Sequence, residues 1–242
     1  MIEIKYNKNY GKWFINDVLR AIKRFSLIEH NDSVAVALSG GKDSTTLLYI
    51  LSYLKKYSKL SFSLVAIHVK VDEYQTSALR SYCEFLKVPY YEELLRTETH
   101  DTMENCYICS RLKRGAISAI MNSAGVPKVA FGHHATDVAE TFMMNIIDNK
   151  KLGALTPKVQ IEDNSMIIIR PMIYLEEDRI TKIFNTLNLP DNDISCPYRK
   201  TTRRDIFKQI MSCINEIQSE KNFERNVVEA LEKSPLEDWR EQ

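Results

Sequence analysis

The sequence contains no apolar stretch near the ~18–20 residues that a membrane-spanning helix requires; runs such as Val34–Leu38 are of strand length. The opening MIEIKYNKNYGKW lacks the apolar region of a secretory leader, which predicts a chain that is not exported. Net charge is only +1, so no global basic field announces a nucleic-acid partner. There is no internal repeat, low-complexity tract or Gly/Ser linker, which sets aside repeat architectures. Five cysteines are an odd number in a chain of 242 residues, long enough to hold a core without covalent staples. That predicts a reducing, cytoplasmic setting, with metal or redox work for any cysteines that cluster.

What is present is ordinary in bulk and uneven in detail. With 44% hydrophobic and 27% charged residues, the chain falls outside the disordered and fibrous classes. Residues 1–30 carry six Lys/Arg against three Asp/Glu, and residues 199–208 carry five against one. From Glu216 to Gln242 the balance reverses, with eight acids against four bases. A near-neutral total therefore hides two basic segments and an acidic end, each also readable as a solvated helix face.

Hydrophobic periodicity predicts helices over about 11–28, 44–56, 75–87, 107–123, 136–148 and 176–188, with one or two more between 201 and 233. Strands are expected at 34–38, 62–69, 89–91 and 128–132, and PKVQI and MIIIR flank Asp163–Asn164 as a hairpin. Such alternation implies an α/β fold, a doubly wound, mostly parallel, Rossmann-like sheet. The expected organisation is an N-terminal helical extension (1–30), an α/β core (31–190) and a C-terminal helical extension (191–242), with the hairpin as an addition to the sheet. Ligands in such folds sit at the C-terminal strand ends, so the loops after residues 38, 69, 91 and 132 matter most.

Between a strand and a helix lies Ser39-Gly40-Gly41-Lys42-Asp43-Ser44. Two glycines allow a sharp turn and close approach of backbone to ligand. The following helix terminus offers unpaired N–H groups and a positive dipole end to an anion. Ser39 and Ser44 add hydroxyls, Lys42 a point charge, and Asp43 a metal ligand or a cap. The spacing is too short for GxxxxGK[ST], and there is no GxGxxG, which disfavours a dinucleotide redox cofactor. VALSGGKDSTTLL resembles the pyrophosphatase-type loop of the adenine-nucleotide α-hydrolase superfamily, whose members adenylate a substrate oxygen and release pyrophosphate.

Cys106-Tyr107-Ile108-Cys109 opens a helix and runs into SRLKRG, and Cys196 follows much later. Three thiolates suit an iron–sulfur cluster with one iron lacking a protein ligand, a zinc site or a redox dithiol, and on the residues alone these stay equal. Cys83 and Cys213 lie on apolar helix faces, the latter with Ile206, Ile210, Ile214 and Ile217, and are expected in the core. His68, within a strand, is expected to be structural.

CxxC–SRLKRG, GHHATDVAET at 132–141, IRP at 169–171 and the entry IKRFSLIEHNDSVAVALSGGKDS together resemble the tRNA 2-thiocytidine synthetase family over about residues 12–200. The resemblance implies ATP on Ser39, Gly40, Gly41, Lys42, Asp43 and Ser44, with His133 and Asp137 lining the nucleotide or Mg²⁺ side and Arg170 as a further phosphate or substrate contact. It implies a [4Fe–4S] cluster on Cys106, Cys109 and Cys196. Lys42 and Asp43 would act in catalysis, and Arg111, Lys113, Arg114, Arg199, Arg203 and Arg204 would meet tRNA. The implied activity is a tRNA sulfurtransferase that thiolates an anticodon-loop cytidine through an adenylated base, releasing AMP and pyrophosphate. It implies further a sulfur donor, either a cysteine desulfurase or free sulfide, and a homodimer with no membrane association. Three departures are visible: Cys196-Pro-Tyr-Arg199 replaces a second CxxC, the stretch after His68 is short, and Thr136-Asp137 replaces an acidic pair. The alternatives are thiolation of another tRNA base or a small heterocycle, and a non-catalytic ATP-binding protein with structural zinc.

Overall fold

In a computed structural model, the residues described are 5–70, 76–95, 106–161, 166–191, 203–217, 223–236 and 239, with backbone only for Cys106 and Tyr107. The chain enters through a widened turn, Gly11–Ile15, closed by Asn16 N–H donating to Gly11 O, and continues as α1 (Asn16–Arg24). Then follow β1 (Asp32–Ala37), α2 (Lys42–Tyr57), β2 (Phe62–Lys70), α3 (Ser77–Leu86), β3 (Tyr90–Leu94), α4 (Cys106–Ala124), β4 (Lys128–Ala130) and α5 (Ala135–Ile147). The chain goes on through β5 (Lys158–Ile161), β6 (Met166–Ile169), α6 (Glu177–Thr186), α7 (Arg203–Ile217) and α8 (Phe223–Lys233).

Six strands form one sheet in the order β3-β2-β1-β4-β6-β5. All neighbours pair in parallel except β5 with β6. The expected doubly wound α/β sheet is therefore present. The hairpin is not an addition to it: β6 pairs with β4 in parallel, Lys128 opposite Ile167 and Ala130 opposite Ile169, and β5 alone is the antiparallel edge. The chain order reverses between β1 and β4, so their C-terminal ends flank the crevice where such sheets bind ligands.

Side-chain alternation along the strands feeds two cores. Val34, Val36, Leu64, Ala66, Ala130 and Ile169 join the larger one, with α1, α2, α3, α6, α8 and Trp239. Ala35, Ile67, Val69, Val129 and Ile168 join the smaller one, covered by Ile117 and Met121 of α4. From α1 and its entry turn, Phe14, Val18 and Ile22 lie four residues apart and all enter the larger core. Every residue of α2 from Ser44 to Leu54 is buried, because the sheet packs on one side and α6 on another.

One helix faces differently from expectation. Cys83 is buried as expected, but Cys213 is exposed, along with Ile206, Ile210 and Ile217. Helix α7 carries a second apolar stripe, Phe207 and Met211, and buries that one. On α4 the outer turn exposes Ile108 and Leu112, while Ile117 and Met121 face the sheet.

Candidate active site

After β1, Leu38 N–H donates to Ile67 O at 2.8 Å and the chain turns over Gly40, whose φ of 97° is accessible to glycine at no steric cost. The turn is tied by Ser44: its Oγ accepts from Ser39 N–H at 3.1 Å, lies 3.0 Å from Ser39 Oγ and donates to Gly41 O at 3.1 Å. Gly41 occupies the N-cap of α2 and offers no side-chain cap. The first amides of the helix therefore have no side-chain acceptor at the cap and point at any anion in the crevice. The loop after β4 presses directly on this turn. A Cβ at Gly132 would lie 2.9 Å from Asp43 C and 3.0 Å from Ser44 N, so the two loops meet backbone to backbone.

Around the loop stand carboxylates from three helices. Asp43 is in the first turn of α2; Asp137 and Glu140, one turn apart, project from α5; Glu177 opens α6. Glu177 N–H donates to Thr136 Oγ1 at 3.1 Å, which ties α6 to α5. Asp137 Oδ2 accepts from His134 N–H at 2.9 Å. His134, almost fully buried, places Nε2 3.4 Å from Asp137 Oδ2 and 3.8 Å from Asp43 Oδ1.

Three cations answer these acids. Lys42 Nζ reaches Glu177 Oε1 at 2.8 Å and Asp43 Oδ1 at 3.1 Å. From α7, Lys208 Nζ takes the other Glu177 oxygen at 2.9 Å, and Arg204 lies 3.3 Å from Asp137 and 3.5 Å from Glu140. Burial pushes the Glu177 carboxyl up, but hydrogen bonds from Lys42 and Lys208 overcome it and hold Glu177 down at about 2. Burial would likewise lower Lys42, yet Glu177 and Asp43 keep it above its usual value. Glu140 goes the other way: burial, reinforced by the Asp137 charge, pushes it up to about 7.

His133 and Arg170 form a separate pair behind the loop. Arg170 Nε–H donates to His133 Nδ1 at 3.2 Å and NH1 donates to Thr156 O at 2.6 Å. The His133 ring stacks on Phe131 at 5.6 Å. Burial, then the Arg170 charge, bring His133 down to about 4, and burial brings Arg170 down to about 10. At neutral pH the imidazole is therefore uncharged, with its proton on Nε2, and Arg170 stays cationic. Arg170 is thus largely engaged by protein partners. His68 is structural, as expected: its Nδ1–H donates to Leu38 O at 2.6 Å.

The structure brings Ser39, Lys42, Asp43, Ser44, His134 and Asp137 together, with His133 and Arg170 adjoining. Cys106 and Cys109 stand one turn apart at the start of α4, and Cys109 is a free, half-buried thiol. Two thiols at this spacing are a fitting chelating pair for a thiolate-ligated metal or cluster. Cys196 and Arg199 lie outside the described residues, as does the Cys106 side chain. Lys113 and Arg114 follow the cysteine pair on the same helix, α4. Arg111 is exposed. Arg203 is paired with Asp148 on the surface, and Arg204 is spent on the site's own carboxylates.

Sequence reading missed Glu140 and Glu177. Glu140 had a signal, since DVAE sets it three residues beyond Asp137 on the same helix face and restores the second carboxylate that Thr136 had displaced. Glu177 had none, because its partners lie 135 and 31 residues away.

The profile of the PP-loop domain family matches residues 14–212. A tRNA-cytidine(32) 2-sulfurtransferase of Xanthomonas oryzae pv. oryzae (strain PXO99A) is 34% identical over 190 residues, spanning 74% of this chain and 62% of that protein. One from Psychrobacter sp. (strain PRwf-1) is 35% identical over 185 residues, spanning 72% of this chain and 50% of that protein. This chain thus matches only half to about three fifths of the length of these curated relatives. The U34-tRNA thiolase NcsA from Methanococcus maripaludis, solved with its [4Fe-4S] cluster, shares the fold at a TM-score of 0.70 and 22% identity, over 90% of this chain and 78% of that one.

Proposed function

The chain belongs to the PP-loop domain family, and from that premise we propose that it is an ATP-dependent tRNA sulfurtransferase acting on a cytidine. The observation that carries this reading is the uncapped anion-binding turn before α2 with Lys42 beside it, in a chain that also opens α4 with the pair Cys106 and Cys109. The 34% identity to a tRNA-cytidine(32) 2-sulfurtransferase supports the choice of base.

In this reading the amides and hydroxyls of residues 39–44 hold the ATP phosphates, and Lys42 neutralises charge at the transferring phosphorus. The cytidine C2 oxygen bonds to the α-phosphorus while the bond to pyrophosphate breaks. Sulfide then bonds to C2 as the C2–O bond breaks, and AMP leaves with the oxygen. Mg²⁺ in nucleotide sites takes one or two carboxylates and completes its shell with phosphate and water; Asp43 and Asp137 are the pair for it. Cys106, Cys109 and Cys196 would hold a [4Fe–4S] cluster, which when bound supplies a Lewis-acidic iron without a protein ligand, suited to delivering sulfide. Neutral His133 offers Nε2–H as a donor on the nucleotide side, with Arg170 orienting it.

Arg111, Lys113, Arg114, Arg199 and Arg203 are the proposed RNA contacts, drawing phosphates to the cysteines by a salt-sensitive attraction. An anticodon-loop base is already splayed enough to be presented. The sulfur comes from a cysteine desulfurase or free sulfide, and the site of action is the cytoplasm. Among the described residues no helix is long and apolar enough to cross a membrane. A homodimer is part of the same proposal.

Anaerobically purified protein, given ATP, sulfide and tRNA lacking thiolated bases, is expected to form 2-thiocytidine by nucleoside mass spectrometry, with AMP in equal amount. Lys42→Ala should lower the thionucleoside and its matching AMP by orders of magnitude, and Cys109→Ala should abolish the thionucleoside. Zinc in place of iron, with no AMP formed, would overturn the reading in favour of a nucleotide-binding protein. A small heterocyclic substrate is the second reading, favoured by the pairing of Arg203 and Arg204 with protein carboxylates; AMP formation with a free heterocycle but not with tRNA would select it.

A further inference from the structure

Helix α7 was expected to serve RNA through its basic start, yet its two inward cations do something else. Arg204 and Lys208, four residues apart, share one helix face, and both turn toward the phosphate turn rather than away from it. Lys208 and Lys42 grip the two oxygens of one carboxylate, Glu177, at 2.9 and 2.8 Å. Arg204 lies against Asp137 and Glu140. Glu140 is 1% exposed, and its Oε1, 3.8 Å from Lys208 Nζ, is buried without a hydrogen bond.

The arrangement is poorly explained as surface ion pairing. Exposed pairs contribute little, whereas these half-exposed cations bridge partly buried Asp137 and Glu177 and reach the buried Glu140. A carboxylate held between two ammonium groups presents them with two oxygens and one negative charge. A polyphosphate presents more oxygens and more charge, and arginine's planar fork matches phosphate oxygens in pairs.

We propose that Arg204 and Lys208 of α7 are ligands for the polyphosphate of the nucleotide, forming with Lys42 a three-cation clasp for which Glu177 competes with phosphate. This rests on the reading of residues 39–44 as the ATP phosphate site and adds the wall opposite the loop. On nucleotide binding Lys42 and Lys208 exchange Glu177 for phosphate oxygens, and the released pyrophosphate occupies the same cations. Residues of α7 thereby recognise the leaving group and not the nucleoside.

The test is calorimetric titration of the full chain with ATP, inorganic pyrophosphate and AMP, alongside tRNA binding. Arg204→Ala and Lys208→Ala should each weaken ATP and pyrophosphate binding about tenfold, as loss of one charge-assisted contact does. AMP binding should stay within twofold. Glu177→Gln should shift pyrophosphate the other way, tightening it severalfold by removing the competitor. Arg225→Ala, on α8 and paired with Glu229 of the same helix, is the control. Lys208→Gln, at a half-exposed side chain, serves if an alanine variant fails to fold. Unchanged ATP and pyrophosphate affinities, or an equal loss for AMP, would overturn the clasp. So would a loss of tRNA affinity alone, which would return α7 to RNA. Wild-type protein that binds pyrophosphate through these residues but not ATP would keep the clasp and overturn the nucleotide reading.

Discussion

The two ends of α2 make opposite kinds of surface. At its start the helix is uncapped and meets Asp43, His134, Asp137 and Glu177 within a few ångströms. At its end it borders a cavity of about 720 Å³ lined by Tyr6, Ile15, Ile22, Tyr53, Leu54 and Tyr57, with Lys8, Lys23 and Lys59 at the rim. The far cavity is large and apolar, and among the described residues its lining brings no acid to its bases. The near end is crowded, and its groups have displaced proton affinities in both directions, Glu177 down and Glu140 up. Volume alone therefore misdirects: chemistry needs polar groups aimed at one point, with their charges tuned by their neighbours.

Substitutions at the two ends should separate these properties. The largest contrast is in turnover. Lys42→Ala should lower AMP formation about 10²–10³-fold, the scale of losing one preorganised charge at a transition state, whereas Lys23→Ala or Lys59→Ala should leave it within twofold. Equal losses at both ends would break the contrast.

Stability should rank the other way. Leu54→Ala, at a fully buried side chain on the far end, should cost about 2–5 kcal/mol in urea unfolding while leaving nucleotide affinity unchanged in the folded fraction. Gly132→Ala should cost less, about 1–3 kcal/mol, yet weaken ATP binding. Its methyl would push on Asp43 and Ser44 backbone rather than on a movable side chain.

The smallest and most diagnostic effect is in pH dependence. In the folded chain Glu140 keeps its proton up to about 7, against a usual 4.5. Between those values the unfolded chain binds fewer protons, so this residue makes stability fall as pH rises. Glu140→Gln should therefore gain stability relative to wild type from pH 4.5 to 7. Glu177, held at about 2, stabilises the fold above pH 4.5, and that contribution is lost as pH falls through 2. Glu177→Gln should be most costly at neutral pH. Slopes of the same sign for both variants would mean that Glu140 is solvated, contrary to the burial found here.

Much of this was legible beforehand. Buried parallel strands read as apolar runs, and the 39–44 turn announced itself because glycines, lysine and hydroxyls sat between a strand and a helix. The misreadings have physical causes. The hairpin looked like an appendage because adjacency in sequence shows that β5 and β6 pair, not that β6 also docks on β4. Helix α7 has two apolar stripes, and periodicity cannot say which one the protein buries; Phe207 and Met211 prevailed, which left Cys213 outside. Glu177 joins residues from three helices, and no local pattern encodes a meeting of that kind.

The docking of β6 on β4 has a consequence for how the chain is made. A ribosome finishes β1 at residue 37 and does not reach β4 until residue 128, a wait of roughly 5–20 s at typical synthesis rates. During that interval β1 has an unpaired edge, and β4 in turn keeps one until β6 emerges, a template for mispairing with other nascent chains. Gly132, which shapes the phosphate turn, also arrives in that late batch. A polypeptide stalled before residue 128 therefore has an unpaired β1 edge and lacks the Gly132 loop that packs on the phosphate turn.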